Sequence, residues 1–157
     1  GEEWYDLSIA NEAWAPDSSS FVFASWKRDK KELLIQEAVL GSKRMRTIYT
    51  GTSDGEHQSP GMCDPFYSAD GKTIYGLLDK SGWRHLHSFD RVSGSERQIT
   101  SGDFEVYPLK LASDKKSVLV RSSKENLAVS SSSDKGNNVS NAEIPGSELE
   151  KGFNLAS

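Results

Sequence analysis

The sequence predicts an all-β fold: β-propeller blades of four antiparallel strands, about three blades, forming part of a propeller. Three observations carry this prediction. Phe66–Val106 reads as four short strands joined by tight turns, the pattern of one blade. Its Asp-Gly hairpin recurs in altered form on either side, with Asp17, Asp70 and Asp114 in equivalent turns spaced by 53 and 44 residues. The segments between turns are β-rich runs with little helical periodicity.

In chain order, Trp4–Ile9 reads as the last strand of a preceding blade. Ala13-Trp14-Ala15-Pro16-Asp17-Ser18 is a turn with Ser where the central hairpin has Gly71, and Phe21–Trp26 is the strand that leaves it. The segment 32–38 also has fair helix propensity, but its place in the repeat selects a strand. Arg46–Thr50 is the fourth strand, and Gly51–Pro65 is a long loop rich in Gly, Pro, Ser and Asp. In the central unit the strands are Phe66–Tyr67, Thr73–Leu78, Trp83–Phe89 and Arg97–Thr100. A third copy begins at Tyr107–Leu111 and continues through Ser117–Ser122, after which Ser130–Asn141 lacks apolar anchors and is left without assigned structure. The expected blades are 10–50, 62–104 and 105–157. Three blades do not close a ring, so the chain reads as a partial propeller whose terminal edges invite self-association.

Composition narrows the function. The 157 residues carry a net charge of −4, a pI near 5.4 and a mean hydropathy of −0.61. An acidic balance disfavours nucleic acid, whose backbone requires a basic face. The basic clusters 27–31 and 43–46 read as solvated hairpin tips. Four Trp, five Tyr and six Phe supply the mass of a core. Cys63 is the single cysteine, which rules out an internal disulfide and a Cys-based metal site. No apolar run is long enough to span a membrane, and no cofactor motif is found.

The order Tyr67-Ser68-Ala69-Asp70-Gly71-Lys72, then Gly82-Trp83-Arg84-His85-Leu86, then Arg97–Val106 with Asp103 inside it, resembles the N-terminal propeller of dipeptidyl peptidase IV-like serine peptidases, in the prolyl oligopeptidase clan. The resemblance implies that Trp14, Asp17, Asp70, Gly71, Trp83, Arg84, His85 and Asp103 are structural positions of the blades. It also implies a C-terminal α/β-hydrolase domain as partner, with a Ser-Asp-His triad supplied there, peptide substrates cut to dipeptides, and a homodimer. A periplasmic or secreted setting follows from the resemblance alone; the residues do not give a location. Members of this family grip the substrate's amino terminus with paired glutamates about ten residues before a Trp-Ser-Pro-Asp-Gly turn. Glu2 and Glu3 precede Trp14-Ala15-Pro16-Asp17 at a comparable distance, which makes them candidate substrate-binding residues. The plain alternative is a solvated pair of acids at a chain end.

No complete catalytic set is expected in this chain. Gly51-Thr52-Ser53-Asp54-Gly55 matches the nucleophile-elbow pattern, but Pro60, Gly61 and Pro65 prevent the helix that must follow, so a catalytic Ser53 is rejected. His85 and His87 share a strand face and could meet His57, Asp64 or Asp90 at a metal; the alternative places them on the solvent or tunnel face, and no metal is expected. Trp83 and Phe89 are expected to pack between blades. Asn138-Val139-Ser140 is a glycosylation sequon, meaningful only on a eukaryotic secretory route. Two functions follow: a non-catalytic propeller portion that gates and shapes access to a hydrolase domain, or a stand-alone propeller resembling TolB-type proteins that binds other proteins. The Gly82–Leu86 and Thr100–Val106 motifs favour the first.

Overall fold

The computed structural model describes residues 5–27, 31–52, 63–111 and 117–123. Their regular structure is all strand: β1 (Tyr5–Ser8), β2 (Ser20–Lys27), β3 (Glu32–Val39), β4 (Arg44–Thr52), β5 (Phe66–Tyr67), β6 (Thr73–Leu78), β7 (His85–Asp90), β8 (Glu96–Gln98), β9 (Val106–Leu111) and β10 (Val118–Ser122). They form two four-stranded sheets, β1-β2-β3-β4 and β5-β6-β7-β8, and a hairpin of β9 and β10; every pairing is antiparallel. The segment 32–38, helix-prone in isolation, lies in β3 because both of its edges pair, with β2 and with β4.

One strand departs from expectation. Tyr5–Ser8 does not belong to a separate sheet but pairs with the far half of β2, Tyr5 opposite Lys27 and Ser8 opposite Ala24. The chain then leaves the sheet at Ile9–Ala13 and returns at Trp14, opposite Phe21. The Val22 amide bonds to the Ala13 carbonyl at 2.9 Å and the Ala15 amide to the Ser20 carbonyl at 2.9 Å. The first strand is therefore in two pieces, and the interruption hides from sequence that both belong together.

The two Asp turns are built alike. The Asp17 Oδ1 accepts from the Ser19 amide at 3.0 Å and hydroxyl at 2.7 Å. The Asp70 Oδ1 accepts from the Lys72 amide at 3.0 Å and the Ser68 hydroxyl at 2.7 Å. These donors hold both carboxyls below the usual aspartate range. The residue after each aspartate is left-handed, Gly71 at φ +70° and Ser18 at φ +58°, so the first turn carries backbone strain that the second avoids.

Two apolar clusters sandwich the second sheet. Val22, Ala24, Leu33, Ile35 and Ile48 of the first sheet meet Tyr67, Ile74, Leu78 and Phe89 of the second. On its other face, Phe66, Tyr75, Leu77 and Leu86 meet Val106 and Val118 of the hairpin. Hence every residue of Ile74–Leu78 and of His85–Phe89 is buried. Phe89 thus packs between sheets as expected, whereas Trp83 is half-buried outside both clusters. The seam between the first two sheets is tight: a Cβ on Gly94 would lie 2.2 Å from the Ile48 carbonyl oxygen. A Cβ on Gly76 would lie 3.1 Å from the Cys63 sulfur.

Candidate functional site

A polar cluster lies on the seam between the first two sheets. In β3, Leu33, Ile35 and Glu37 share the buried phase of the strand, so the sheet carries a carboxylate into the apolar layer. Glu37 is 1% exposed. Its Oε1 accepts from the Ser20 hydroxyl, the Tyr67 hydroxyl and Arg91 Nε, each at 2.9 Å. Its Oε2 accepts from Arg46 Nη2 at 2.6 Å and Nε at 3.1 Å. Arg91, just after β7, also bonds the Gly71 carbonyl at 3.1 Å and lies 5.2 Å over the Tyr67 ring. One guanidinium therefore ties β3 of the first sheet to the Asp-Gly hairpin of the second.

Burial alone would raise the Glu37 carboxyl, but the bonds from Ser20, Tyr67, Arg91 and Arg46 outweigh it and hold the group below the usual glutamate range. Burial, with donation to this carboxylate, pushes the Tyr67 phenol up to about 12. Two guanidiniums on one buried carboxylate satisfy the condition for burying a charge. The cluster floors an open cleft of about 620 Å³ rimmed by Val39, Lys72, Asp90 and Val92. Every oxygen of Glu37 is an acceptor already engaged, so its chemistry is that of a latch between sheets rather than of a base.

The structural residues expected from sequence fall around this seam and the next. Gly71 contributes its carbonyl to Arg91, and Asp70 closes its own turn. Trp14 is 54% exposed and tilts against Phe21 at 5.4 Å between centroids. At the second seam, Arg84 lies 3.7 Å from Glu105 and 5.7 Å from the Tyr107 ring, which Arg121 covers from 5.1 Å. Asp103 is exposed in the turn after Gly102. Glu2, Glu3, Ser53 and His57 lie outside the described residues.

The two histidines are on neither a solvent nor a tunnel face. His85 is 1% exposed, with Nδ1 3.1 Å from the Thr100 hydroxyl, Nε2 2.9 Å from the Gly102 carbonyl, and Phe104 edge-on at 5.3 Å. His87 is 2% exposed, with Nδ1 2.8 Å from Glu96, whose other oxygen accepts from Lys80 at 2.6 Å. Burial pushes His87 below the usual histidine value despite Glu96. Polar partners on β8 and in the turn behind it allow both rings inside, which the alternation of β7 did not reveal. Among the described residues, no group of three His, Cys, Asp or Glu could hold a metal ion. Burial also pushes the Cys63 thiol up to about 12, so it is no nucleophile.

Sequence reasoning missed the latch. The available sign was an acid in the apolar phase of a strand, Glu37 after Leu33 and Ile35; its partner Arg91 lies 54 positions on and carries no local mark.

The sequence matches the family model described as the dipeptidyl peptidase IV (DPP IV) N-terminal region over residues 3–132. A search of curated proteins found no match. The fold is similar to a structure described as a dipeptidyl aminopeptidase IV from Bacteroides ovatus, with a TM-score of 0.63 and 15% identity over 75% of this chain and 19% of that one. It is also similar to a structure described as TolB from Agrobacterium tumefaciens, with a TM-score of 0.57 and 21% identity over 76% of this chain and 38% of that one. A puromycin-hydrolyzing peptidase of Mycobacterium tuberculosis gives a TM-score of 0.53 and 18% identity over 76% of this chain and 19% of that one. The chain thus spans less than two fifths of each of these structures, and the likeness shows the fold: four-stranded sheets forming part of a propeller. The match over 3–132 goes further, and the chain belongs to the family of the dipeptidyl peptidase IV N-terminal region.

Proposed function

We propose that this chain is the non-catalytic propeller portion of a dipeptidyl peptidase IV-like serine peptidase. It restricts the size of peptide substrates and shapes their route to a C-terminal α/β-hydrolase domain, which supplies the serine, aspartate and histidine. The family match over residues 3–132 carries this reading. It is supported by burial: Ser20, Glu37, His85 and His87 are each 2% exposed or less and out of reach of a substrate. Glu2 and Glu3 grip the substrate's ammonium by charge-assisted hydrogen bonds. The parent works in the periplasm or outside the cell, and the chain associates with itself.

The test is a fluorophosphonate label applied to an extract of the source, followed by capture with an antibody against this chain. The reading predicts a labelled polypeptide several times longer than the 17.3 kDa chain. An unlabelled polypeptide near that mass overturns it. That second outcome favours a stand-alone propeller that binds other proteins, a reading supported by the likeness in fold to TolB.

A further inference from the structure

The cleft over the latch carries more positive charge than the latch uses. Both of its walls are described: the end of the first sheet on one side, the Asp-Gly hairpin and the turn after β7 on the other. Arg46 stands opposite Glu37 in the β3–β4 ladder, and its side chain is 45% exposed. It donates Nε and Nη2 to Glu37, which leaves Nη1 over. Across the cleft, the Arg91 amide donates to the Lys72 carbonyl at 2.9 Å, which sets Lys72 beside Arg91. Lys72 is exposed, and its ammonium makes no ion pair among the described residues. Three cations thus line the cleft above one buried carboxylate. The two aspartates of the rim turn their Oδ1 atoms to their own loops. Asp70 accepts from the Lys72 amide and the Ser68 hydroxyl, and Asp90 from the Val92 and Ser93 amides and the Ser93 hydroxyl. Beside these charges Val92 is 86% and Val39 36% exposed, so the rim also offers bare methyl groups.

We propose that this cleft is a binding site for a small organic anion: a carboxylate or phosphate oxyanion on an apolar body. Arg46 Nη1 and the Lys72 ammonium take the oxyanion, and Val39 and Val92 take the body. The argument for an anion is charge complementarity, since an oxyanion is the group that pairs with a guanidinium edge and an ammonium together. The cleft volume of about 620 Å³ lies within the range of roughly 300–1,000 Å³ for small-molecule sites, which suits an N-acylated amino acid better than a free ion. Glu37 stays beneath the ligand with both oxygens engaged, and its two bonds to Arg46 hold that guanidinium in place before binding. The site goes beyond the peptidase reading and does not depend on it.

The experiment is isothermal titration calorimetry of the full chain at neutral pH and low ionic strength, where screening is weakest. The probes are N-acetyl-leucine, its uncharged amide and inorganic phosphate. The expected results are saturable binding of N-acetyl-leucine, weaker binding of phosphate, and none of the amide. Lys72→Gln should weaken N-acetyl-leucine at least about fivefold. Arg97→Gln removes an exposed cation from β8, away from the cleft, and should leave the affinity within about twofold. Both substitutions are at exposed positions, and near-UV circular dichroism verifies that each variant is folded. Three results each overturn the site: the amide binding as tightly as the acid, an equal loss in the two variants, or no binding of any probe. Phosphate bound as tightly as N-acetyl-leucine overturns the part given to Val39 and Val92. None of these results bears on the fluorophosphonate label, so the peptidase reading fails or stands separately.

Discussion

The two seams of this molecule are closed by different chemistry. Between the first and second sheets, an apolar layer surrounds a buried carboxylate held by two guanidiniums and two hydroxyls. Between the second sheet and the hairpin, Phe66, Tyr75, Leu77, Leu86, Val106 and Val118 pack together, and the charges stand beside them: Arg84 lies 3.7 Å from a buried Glu105 oxygen, and Arg84 and Arg121 flank the Tyr107 ring. The place of Glu37 in the first sheet is taken in the second by Ser88, which bonds the Arg97 carbonyl at 3.3 Å. One fold thus tolerates either solution. What the ionic seam adds is direction: Arg91 reaches Glu37, Ser20 and Gly71 together only when the two sheets sit in one relative position.

The comparison is broken most severely by removing the carboxylate. Glu37→Ala leaves two guanidiniums without their acceptor and is expected to cost about 3–5 kcal/mol in urea unfolding. Ser88→Ala in the apolar seam should cost about 1 kcal/mol or less. Equal costs would mean that the seams do not differ.

The closeness of the first seam is probed by two glycines with left-handed backbones. Gly82→Ala, at φ +85° with nothing within 4 Å of the new Cβ, should cost about 1–2 kcal/mol of backbone strain. Gly94→Ala adds the clash with the Ile48 carbonyl, expected to cost a further 1–3 kcal/mol or so as the sheets are pushed apart.

Acidification sharpens the contrast further. The folded Glu37 carboxyl is depressed, so its stabilisation is complete above the unfolded value of about 4.3 and lost as pH falls through the folded one. His87 is also depressed: its neutral burial favours folding above about 6.5, and stability is lost as pH falls through its folded value. Urea midpoints should therefore fall steadily from pH 7 to pH 3. Glu37→Gln should flatten the limb below about pH 4.3, and an unchanged limb would place the titration elsewhere.

The smallest expected effect is a gain. Ser18→Gly gives the first Asp turn the residue its φ of +58° favours and should stabilise by about 0.5–1 kcal/mol after the entropy of the unfolded glycine is counted. A thermal melt of the two proteins measures it.

The repeat was legible because its marks are local. Asp70-Gly71 and the alternation around it fix a hairpin within a few residues, and the degenerate turn at Asp17 repeats it. The broken first strand was not legible, since Ile9–Ala13 leaves the sheet and only pairing with β2 reveals that Tyr5–Ser8 and Trp14 continue one another. The histidines misled for a related reason. Alternation of polar and apolar residues in β7 signals one wet face, but Thr100, Gly102 and Glu96 supply the partners that let both rings go inside. The latch was the least legible feature. Its parts come from β2, β3, β4, β5 and the turn after β7, and their meeting is decided by how two sheets pack.

The central claim is that Glu37 and Arg91 act as one latch across the first seam, and a double-mutant cycle tests it most directly. Urea unfolding of the wild type, Glu37→Gln, Arg91→Gln and the double variant should give a coupling of about 2–3 kcal/mol, with the second substitution costing little once the first is made. Costs that add to within about 0.5 kcal/mol would contradict the account, leaving the two sheets held by their apolar layer alone.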